Sequence, residues 1–286
     1  MLQDKDIERL SNYCGVCVVF TSLTYLDYKR FLYPTIYNDL LQHNFFLGKR
    51  LLKWLCQIIK MSSTYTTTST ATRKPYHGSC HCGLIRFVIF MSLPPPVIEA
   101  TPSAKTTVRL RKCNCTTCHK MGLFHIRLPD SPNDFMLLSP AGMPHEQGGW
   151  QDQGMRNYQC FDKELDWWFC GICGVRPFAT GLDFQNGEMR TVNLKELGIT
   201  EVNGEEVGEG KRDVWMCPKK GEVNGKPTEW IEGKTGYLSV NAIVLEAGQD
   251  GCDLREWHEK GWISYLDILD SKEENRLGKP WRGGMY

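Results

Sequence analysis

Seven of the 13 cysteines in this chain of 286 residues fall into three tight groups. Such grouping is typical of metal ligands, whereas single scattered cysteines are more often small buried hydrophobic residues. We predict no chemistry for three cysteines that stand alone, Cys160, Cys217 and Cys252. The three groups, in chain order, are Cys80-His81-Cys82, Cys113-Asn114-Cys115-Thr116-Thr117-Cys118 and Cys170-Gly171-Ile172-Cys173.

Two of these groups are short pairs, Cys80-x-Cys82 and Cys170-x-x-Cys173, and each pair can wrap a metal from a tight turn. Four thiolates complete the tetrahedral ligand set of a structural zinc site. A glycine follows each pair, at Gly83 and Gly174, and glycine tolerates the positive φ that metal-binding turns often need. The spacing therefore predicts a closed zinc site that joins two distant segments. A disulfide, or two unused pairs, is the alternative.

The central group supplies three thiolates within six residues, at Cys113, Cys115 and Cys118. Three protein ligands leave one coordination position for water or substrate, which is the arrangement of a catalytic zinc. The alternative is a second structural site that is closed by His119, His81 or another histidine. Basic side chains flank the group and would favour thiolate over thiol; they are Arg111, Lys112 and Lys120.

The elements that must position these cysteines are predicted to be strands, because apolar and β-branched residues dominate or alternate there. Residues 182–236 are rich in Gly, Lys and Glu and predict an inserted, solvated set of hairpins, more in keeping with a surface insertion than with a lid. Asp253 is a candidate N-cap for a short C-terminal helix that would continue to about Leu269. The fold class is therefore mainly β. The predicted strands are Leu84–Phe90, Leu123–Leu128, Trp167–Phe169 and Tyr237–Leu245.

The composition divides the chain into four parts. Residues 1–60 are interpreted as an N-terminal extension that is dispensable or an artefact of the gene model, with Met61 as the working start. A flexible Ser/Thr-rich lead-in follows over residues 61–75. The zinc-binding domain is predicted over residues 76–270, including the insertion 182–236. Residues 271–286 are predicted to form an extended C-terminal tail.

Charge and hydropathy exclude several classes of function. The 34 basic and 33 acidic side chains give a formal net charge of +1, which argues against nucleic-acid or membrane partners bound by bulk electrostatics. Acidic residues near the N-terminus, Asp4, Asp6 and Glu8, argue against a secretory signal. An odd number of cysteines cannot all pair within the chain, so we expect reduced thiols or metal ligands and a cytoplasmic location.

The three cysteine groups and their flanks resemble the glutathione-dependent formaldehyde-activating enzyme family, which includes the centromere protein V domain. The resemblance covers roughly Tyr76 to Leu245, and the order, spacing and flanking residues of the motifs agree. A segment similar to the closing strand of that family is Tyr237-Leu238-Ser239-Val240-Asn241. The motifs that carry the resemblance are Gly78-Ser79-Cys80-His81-Cys82-Gly83-Leu84-Ile85-Arg86-Phe87, Cys113-Asn114-Cys115-Thr116-Thr117-Cys118 and Phe169-Cys170-Gly171-Ile172-Cys173-Gly174-Val175-Arg176-Pro177-Phe178.

The resemblance implies a β-tent-like zinc-binding fold of small antiparallel sheets with two zinc ions per chain. In that pattern the two outer pairs hold a structural zinc, and the central group holds a catalytic one. The implied activity is that of a carbon–sulfur lyase that joins glutathione and formaldehyde to give S-hydroxymethylglutathione. The insertion 182–236 is longer than in compact bacterial members, which leaves the substrate open.

The residues that would serve such an enzyme are only partly defined by the sequence. Anionic glutathione needs basic partners, and the candidates are Arg86, Arg127 and Arg176. No catalytic residue is assigned, although His81, His119 and His125 are candidate bases. The alternative function is a non-catalytic zinc module that binds a protein partner. The oligomeric state is not predicted.

Overall fold

Strands, nearly all of them paired antiparallel, are the main regular structure of the described residues, so the prediction of a mainly β fold is confirmed. The computed structural model describes residues 71–181, 187–202, 205–208, 210–223, 226–270, 272 and 274–284. All of them belong to one compact unit, Thr68–Tyr286. The predictions for residues 1–60, and for the lead-in up to residue 70, lie outside the described residues.

The described strands are numbered along the chain, and four short helices lie between them. The helices are α1 (Thr116–Met121), α2 (Ser131–Asp134), the 3-10 helix Ala242–Val244 and α3 (Leu254–Glu259). The strands are β1 (Arg73–Ser79), β2 (Arg86–Ser92), β3 (Arg109–Cys113), β4 (His125–Arg127), β5 (Phe135–Ser139), β6 (Met155–Tyr158), β7 (Leu165–Cys170), β8 (Phe178–Gly181), β9 (Glu188–Asn193), β10 (Glu201–Val202), β11 (Glu205–Glu206), β12 (Lys211–Met216), β13 (Lys220–Val223), β14 (Lys226–Glu229), β15 (Leu238–Asn241), β16 (Ser264–Asp267) and β17 (Glu274–Leu277).

Two large sheets and two isolated hairpins contain these strands. The first sheet has five strands in the order β1-β2-β5-β12-β9, and every neighbouring pair is antiparallel. The second has eight strands in the order β17-β16-β3-β4-β15-β8-β7-β6, in which β16 and β3 are parallel. The hairpins are β10-β11 and β13-β14. β15 is shorter than predicted, because the chain turns into the 3-10 helix at Ala242.

Aromatic side chains from both sheets meet in one core. Phe135 of the first sheet and Phe178 of the second are in edge contact, with ring centroids 5.3 Å apart. Trp150 contacts both Trp168 and Trp215, at 5.1 Å and 5.0 Å between centroids. Edge-to-face contacts of this kind add stability beyond the burial of area. The core therefore holds the two sheets against each other.

The insertion 182–236 is not only a solvated set of hairpins, so that prediction was wrong in part. Hairpins β10-β11 and β13-β14 are present, but β9 and β12 extend the first sheet. Trp215 of β12 is 0% exposed and packs in the core. The apolar run Val214-Trp215-Met216 produces this strand, and the Gly-rich turns around it obscured the pattern in the sequence.

The C-terminal helix is shorter than predicted. Asp253 is its N-cap, as expected, and accepts hydrogen bonds from the backbone N–H groups of Arg255 and Glu256. The helix ends at Glu259 instead of near Leu269, because Gly261 adopts a φ of 69° that no right-handed helix continues. The following residues form the strand β16.

Both ends of the predicted domain continue into regular structure. β1 begins at Arg73, inside the expected lead-in, and Arg73 Nε lies 2.7 Å from the carboxylate of Asp134. The expected tail contains β17, and its Trp281 donates a hydrogen bond to the carbonyl of Tyr265 at 2.9 Å. None of the helices in the described part of the chain combines the length and apolar character that crossing a bilayer requires.

Candidate metal centres

The outer cysteine pairs come together in one group of four thiols, which we call the first centre. Cys80 directly follows β1 and Cys170 is the last residue of β7, so the group joins the two large sheets. The four sulfurs lie within 4.8 Å of one another, and the Cys82 Sγ is 3.6 Å from that of Cys80 and 3.4 Å from that of Cys170. With Cys173, the group could hold a metal ion.

Two turns of the same design present these thiols. The N–H of Gly83 donates to the Cys80 carbonyl at 2.9 Å, and the N–H of Gly174 donates to the Cys170 carbonyl at 2.8 Å. Gly83 has a φ of 77° and Gly174 a φ of 75°. Residues with a Cβ are strained there, so the expected role of both glycines is confirmed.

Thiols packed this closely do not ionise independently. Burial opposes ionisation of Cys173, but hydrogen bonds from backbone N–H groups and from neighbouring thiols outweigh it and lower its pKa to about 6. Burial raises the pKa of Cys170 to about 12. A metal that binds all four sulfurs as thiolates must therefore displace protons, which makes its affinity dependent on pH.

The three central thiols form a second group, the second centre. Cys113 ends β3, Cys115 is the N-cap of α1 and Cys118 lies within that helix. Their sulfurs all lie within 4.8 Å of one another. The N–H of Cys115 donates to the Cys113 sulfur at 3.3 Å, and the N–H of Cys118 donates to the Cys115 sulfur at 3.4 Å. The start of the helix thus gathers three thiols that could hold a metal ion.

Hydrogen bonds within the second centre favour the thiolate form of one of its cysteines. Hydrogen bonds from the thiols of Cys113 and Cys118 lower the pKa of Cys115 to about 2. The Cys115 sulfur in turn raises the pKa of Cys113 to about 11. Neighbouring thiols, rather than the flanking basic residues considered in the sequence, make the largest contribution.

The histidines considered as fourth ligands lie in three different environments. His119 is exposed, and its Nδ1 is 2.9 Å from the Gly283 carbonyl oxygen. His81 is exposed in the turn of the first centre. His125 is buried, and its Nε2 lies 3.1 Å from the Cys118 sulfur, but it is outside the group whose ligand atoms all lie within 4.8 Å. Within the described ranges, the second centre therefore has three members.

His125 is oriented by a hydroxyl on its other side. Its Nδ1 lies 2.6 Å from Ser239 Oγ, and its Nε2 faces Cys118. Burial, followed by the positive charge of Arg127, lowers the pKa of His125 to about 4. A neutral imidazole has one donor and one acceptor nitrogen, so Cys118 and Ser239 take opposite roles in this contact.

Comparisons with known proteins leave the family resemblance as a prediction. No family model matches the chain, and no curated protein matches it. A solved Rhodobacter sphaeroides protein, a structural-genomics target, is similar at 14% identity with a TM-score of 0.30. That match covers 66% of this chain and 99% of the other. A likeness this low carries no argument, so the two centres stand on their own geometry.

Asn114 is a site residue that the sequence analysis did not identify. Its Nδ2 donates to the carboxylate of Asp267 at 2.6 Å, and its Oδ1 accepts hydrogen bonds from the N–H groups of Ile268 and Leu269 at 2.8 and 3.0 Å. These contacts fix the turn between Cys113 and Cys115 to the chain after β16. The only signal in the sequence is its place inside the cysteine motif.

The three arginines considered as substrate partners are separated in the fold. Arg127 is buried and paired with Glu232, at 2.6 Å from Nη2 and 3.0 Å from Nε to the same oxygen. Arg86 lies beside Gly83 at the first centre. Arg176 lies 3.5 Å from the Gly174 carbonyl, also at the first centre. Of the three, Arg127 lies on the strand that carries His125, and its charge is already paired.

A separate cavity of about 540 Å³ lies between the first sheet and the insertion. Its lining includes His77 of β1, Arg86 of β2 and Glu201 of β10. None of the seven clustered cysteines lines it. The insertion therefore borders this cavity, which is distinct from the two metal centres.

Proposed function

We propose that this protein is a zinc-dependent carbon–sulfur lyase with a β-tent-like zinc-binding fold, which joins a small thiol such as glutathione to formaldehyde. The motif resemblance supplies the reaction and the substrates. The observation that supports it most directly is the contrast between the two centres, because one gathers four thiols and the other three. A closed ligand set suits a structural ion, and an incomplete set suits a catalytic one.

The donor atoms fit zinc. All seven are cysteine sulfurs, and thiolate sets favour soft or borderline ions such as zinc over magnesium or calcium. The first centre would hold the structural ion, and the second would hold the catalytic one through Cys113, Cys115 and Cys118. When bound there, zinc supplies an open coordination position for a thiolate or an aldehyde oxygen.

The surrounding side chains complete this proposal. His125 is the histidine placed to hold or receive a proton at the Cys118 sulfur, because its Nε2 lies 3.1 Å away. Ser239 fixes the imidazole ring through Nδ1. Both residues are buried, so a substrate beside them would be shielded from water. Holding thiol and aldehyde together would supply the proximity contribution to catalysis.

The test is the rate of S-hydroxymethylglutathione formation above the uncatalysed rate. Formaldehyde and glutathione combine without a catalyst, so the exchange rate is measured by NMR with and without the zinc-loaded protein. We expect acceleration by the wild type and none by Cys115→Ala. A matched control, Cys252→Ala, changes a cysteine outside both centres and should retain the acceleration.

The same assay can also contradict the proposal. A wild-type protein that binds zinc at both centres but gives only the uncatalysed rate would contradict the lyase proposal. The non-catalytic zinc module would then be the better account, because that function needs bound zinc and no turnover.

A further inference from the structure

Two arginines of β3 have buried N–H groups without an acceptor. Arg109 is 8% exposed, and neither its Nε nor its Nη2 has a hydrogen-bond partner. The Nε of Arg111 is also buried without a partner. Buried donors of a charged group are costly when they are left unpaired, and native proteins keep few of them. Their presence here needs a physical reason.

Strand register places these arginines on the same face as the second centre. In the β3–β4 pair, Arg109 lies opposite Arg127 and Arg111 lies opposite His125. Side chains two residues apart on a strand share a face, so Arg109, Arg111 and Cys113 form one row along β3. Arg111 and Cys113 are separated by roughly 6–7 Å along the strand. Arg109 and Arg111 therefore lie on the face of β3 that also carries Cys113.

Three guanidinium groups, those of Arg109, Arg111 and Arg127, lie near the carboxylate of Glu232. The carboxylate of Glu232 already accepts from Arg127, from Ser131 Oγ at 2.9 Å and from the Leu238 N–H at 3.1 and 3.3 Å. The single negative charge of Glu232 can compensate one guanidinium group, and it is paired with that of Arg127. The positive charges of Arg109 and Arg111 are not compensated by it. Burial, followed by repulsion from Arg127 and Arg111, lowers the pKa of Arg109 to about 10.

We propose that Arg109 and Arg111 form a buried anion site that binds the carboxylate of a small-molecule thiol whose sulfur reaches the second centre. The planar fork of a guanidinium matches the two oxygens of a carboxylate, and a ligand carboxylate would satisfy the unpaired donors. The thiol half of this inference rests on the proposed function. The carboxylate half rests on Arg109 and Arg111 alone.

The two kinds of donor set the kind of ligand. A ligand that carries both a thiol and a carboxylate would place its sulfur at the cysteine group and its carboxylate at the arginine donors. A neutral thiol of the same length would reach the cysteines but leave the arginine donors unpaired. The site should therefore select acidic thiols.

Three probes separate the two halves of this inference by calorimetric titration of the full-length, zinc-loaded protein. The probes are 3-mercaptopropionate, its neutral counterpart 3-mercapto-1-propanol, and propionate, which lacks the thiol. We expect the acidic thiol to bind the wild type about tenfold or more tightly than the neutral thiol, because it makes charge-assisted hydrogen bonds. Arg109→Gln and Arg111→Gln should each remove most of this preference.

The control variant is Arg255→Gln, because Arg255 is exposed and pairs with Asp253, two residues before it. It should keep the full preference for the acidic thiol. Arg109→Lys keeps the charge but not the fork, and it is used where Arg109→Gln does not fold. A wild type without the preference, or an unchanged preference in both Gln variants, would overturn the anion site.

The probes also distinguish the two ways of failing. In one outcome, propionate binds the wild type but not Arg111→Gln, and the neutral thiol does not bind. That outcome would support the anion site and contradict the thiol half of the inference. Binding of both thiols with equal affinity would leave the proposed function standing and remove the anion site.

Discussion

Replacing Cys170 by alanine should release the metal of the first centre and unfold the domain. Structural zinc contributes on the order of 10–16 kcal/mol of apparent binding energy in zinc-finger peptides, whereas whole domains are stable by about 5–15 kcal/mol. Cys170 joins the second sheet to the Cys80 turn of the first sheet. Thermal unfolding followed by circular dichroism, with zinc measured on the same sample, tests this expectation.

The matched control is Cys217→Ala. Cys217 is as buried as Cys170 and packs in the same core cluster, but it lies outside both centres. The free energy of unfolding of Cys217→Ala should fall by only about 1 kcal/mol, the cost of a small cavity. This variant should keep all its zinc. Equal destabilisation of the two variants, with zinc retained in both, would show that the first centre is not a metal site.

Replacing Glu232 by alanine should give the second large loss of stability. Arg127 and Glu232 form an ion pair with both side chains buried, and Arg127 also stacks at 3.8 Å on the ring of Tyr237. Removing the carboxylate leaves a buried guanidinium without its partner, which typically costs about 3–5 kcal/mol. Urea unfolding measures this loss of stability, provided that the dependence of the unfolding free energy on urea concentration is the same in the wild type and the variant.

An exposed ion pair of equal length provides the comparison. Lys105 and Glu229 are also 2.6 Å apart, but their side chains are largely exposed. Solvent screening limits the contribution of such pairs to about 1 kcal/mol or less, so Glu229→Ala should be nearly neutral. A loss for Glu232→Ala as small as that for Glu229→Ala would contradict the role of the buried pair.

The sequence predicts the two cysteine pairs and the central group of three because the information within each of them is local. The ligands of each pair lie within four residues, and Gly83 and Gly174 mark the turns that present them. Strand alternation likewise predicts β2, β4 and β7 to within a few residues. These features depend on the chain's own geometry and on few distant contacts.

The features that the sequence does not predict depend on the pairing of strands that are distant in the chain. The unpaired donors of Arg109 and Arg111 emerge only when β3 is aligned with β4, and Arg127 becomes unavailable only because Glu232 reaches it across the fold. Trp215 enters the core because β12 pairs with β5, which no pattern within residues 182–236 could predict. The contact of His125 with Cys118 also depends on tertiary structure.

The most direct test of the two-centre account is the zinc content of the purified full-length protein, measured for the wild type and for Cys115→Ala. We expect two zinc ions per chain in the wild type and one in a Cys115→Ala protein that remains folded, because the first centre shares no ligand with the second. One zinc ion per chain in both proteins would mean that Cys113, Cys115 and Cys118 do not hold a metal, and the lyase proposal would fall.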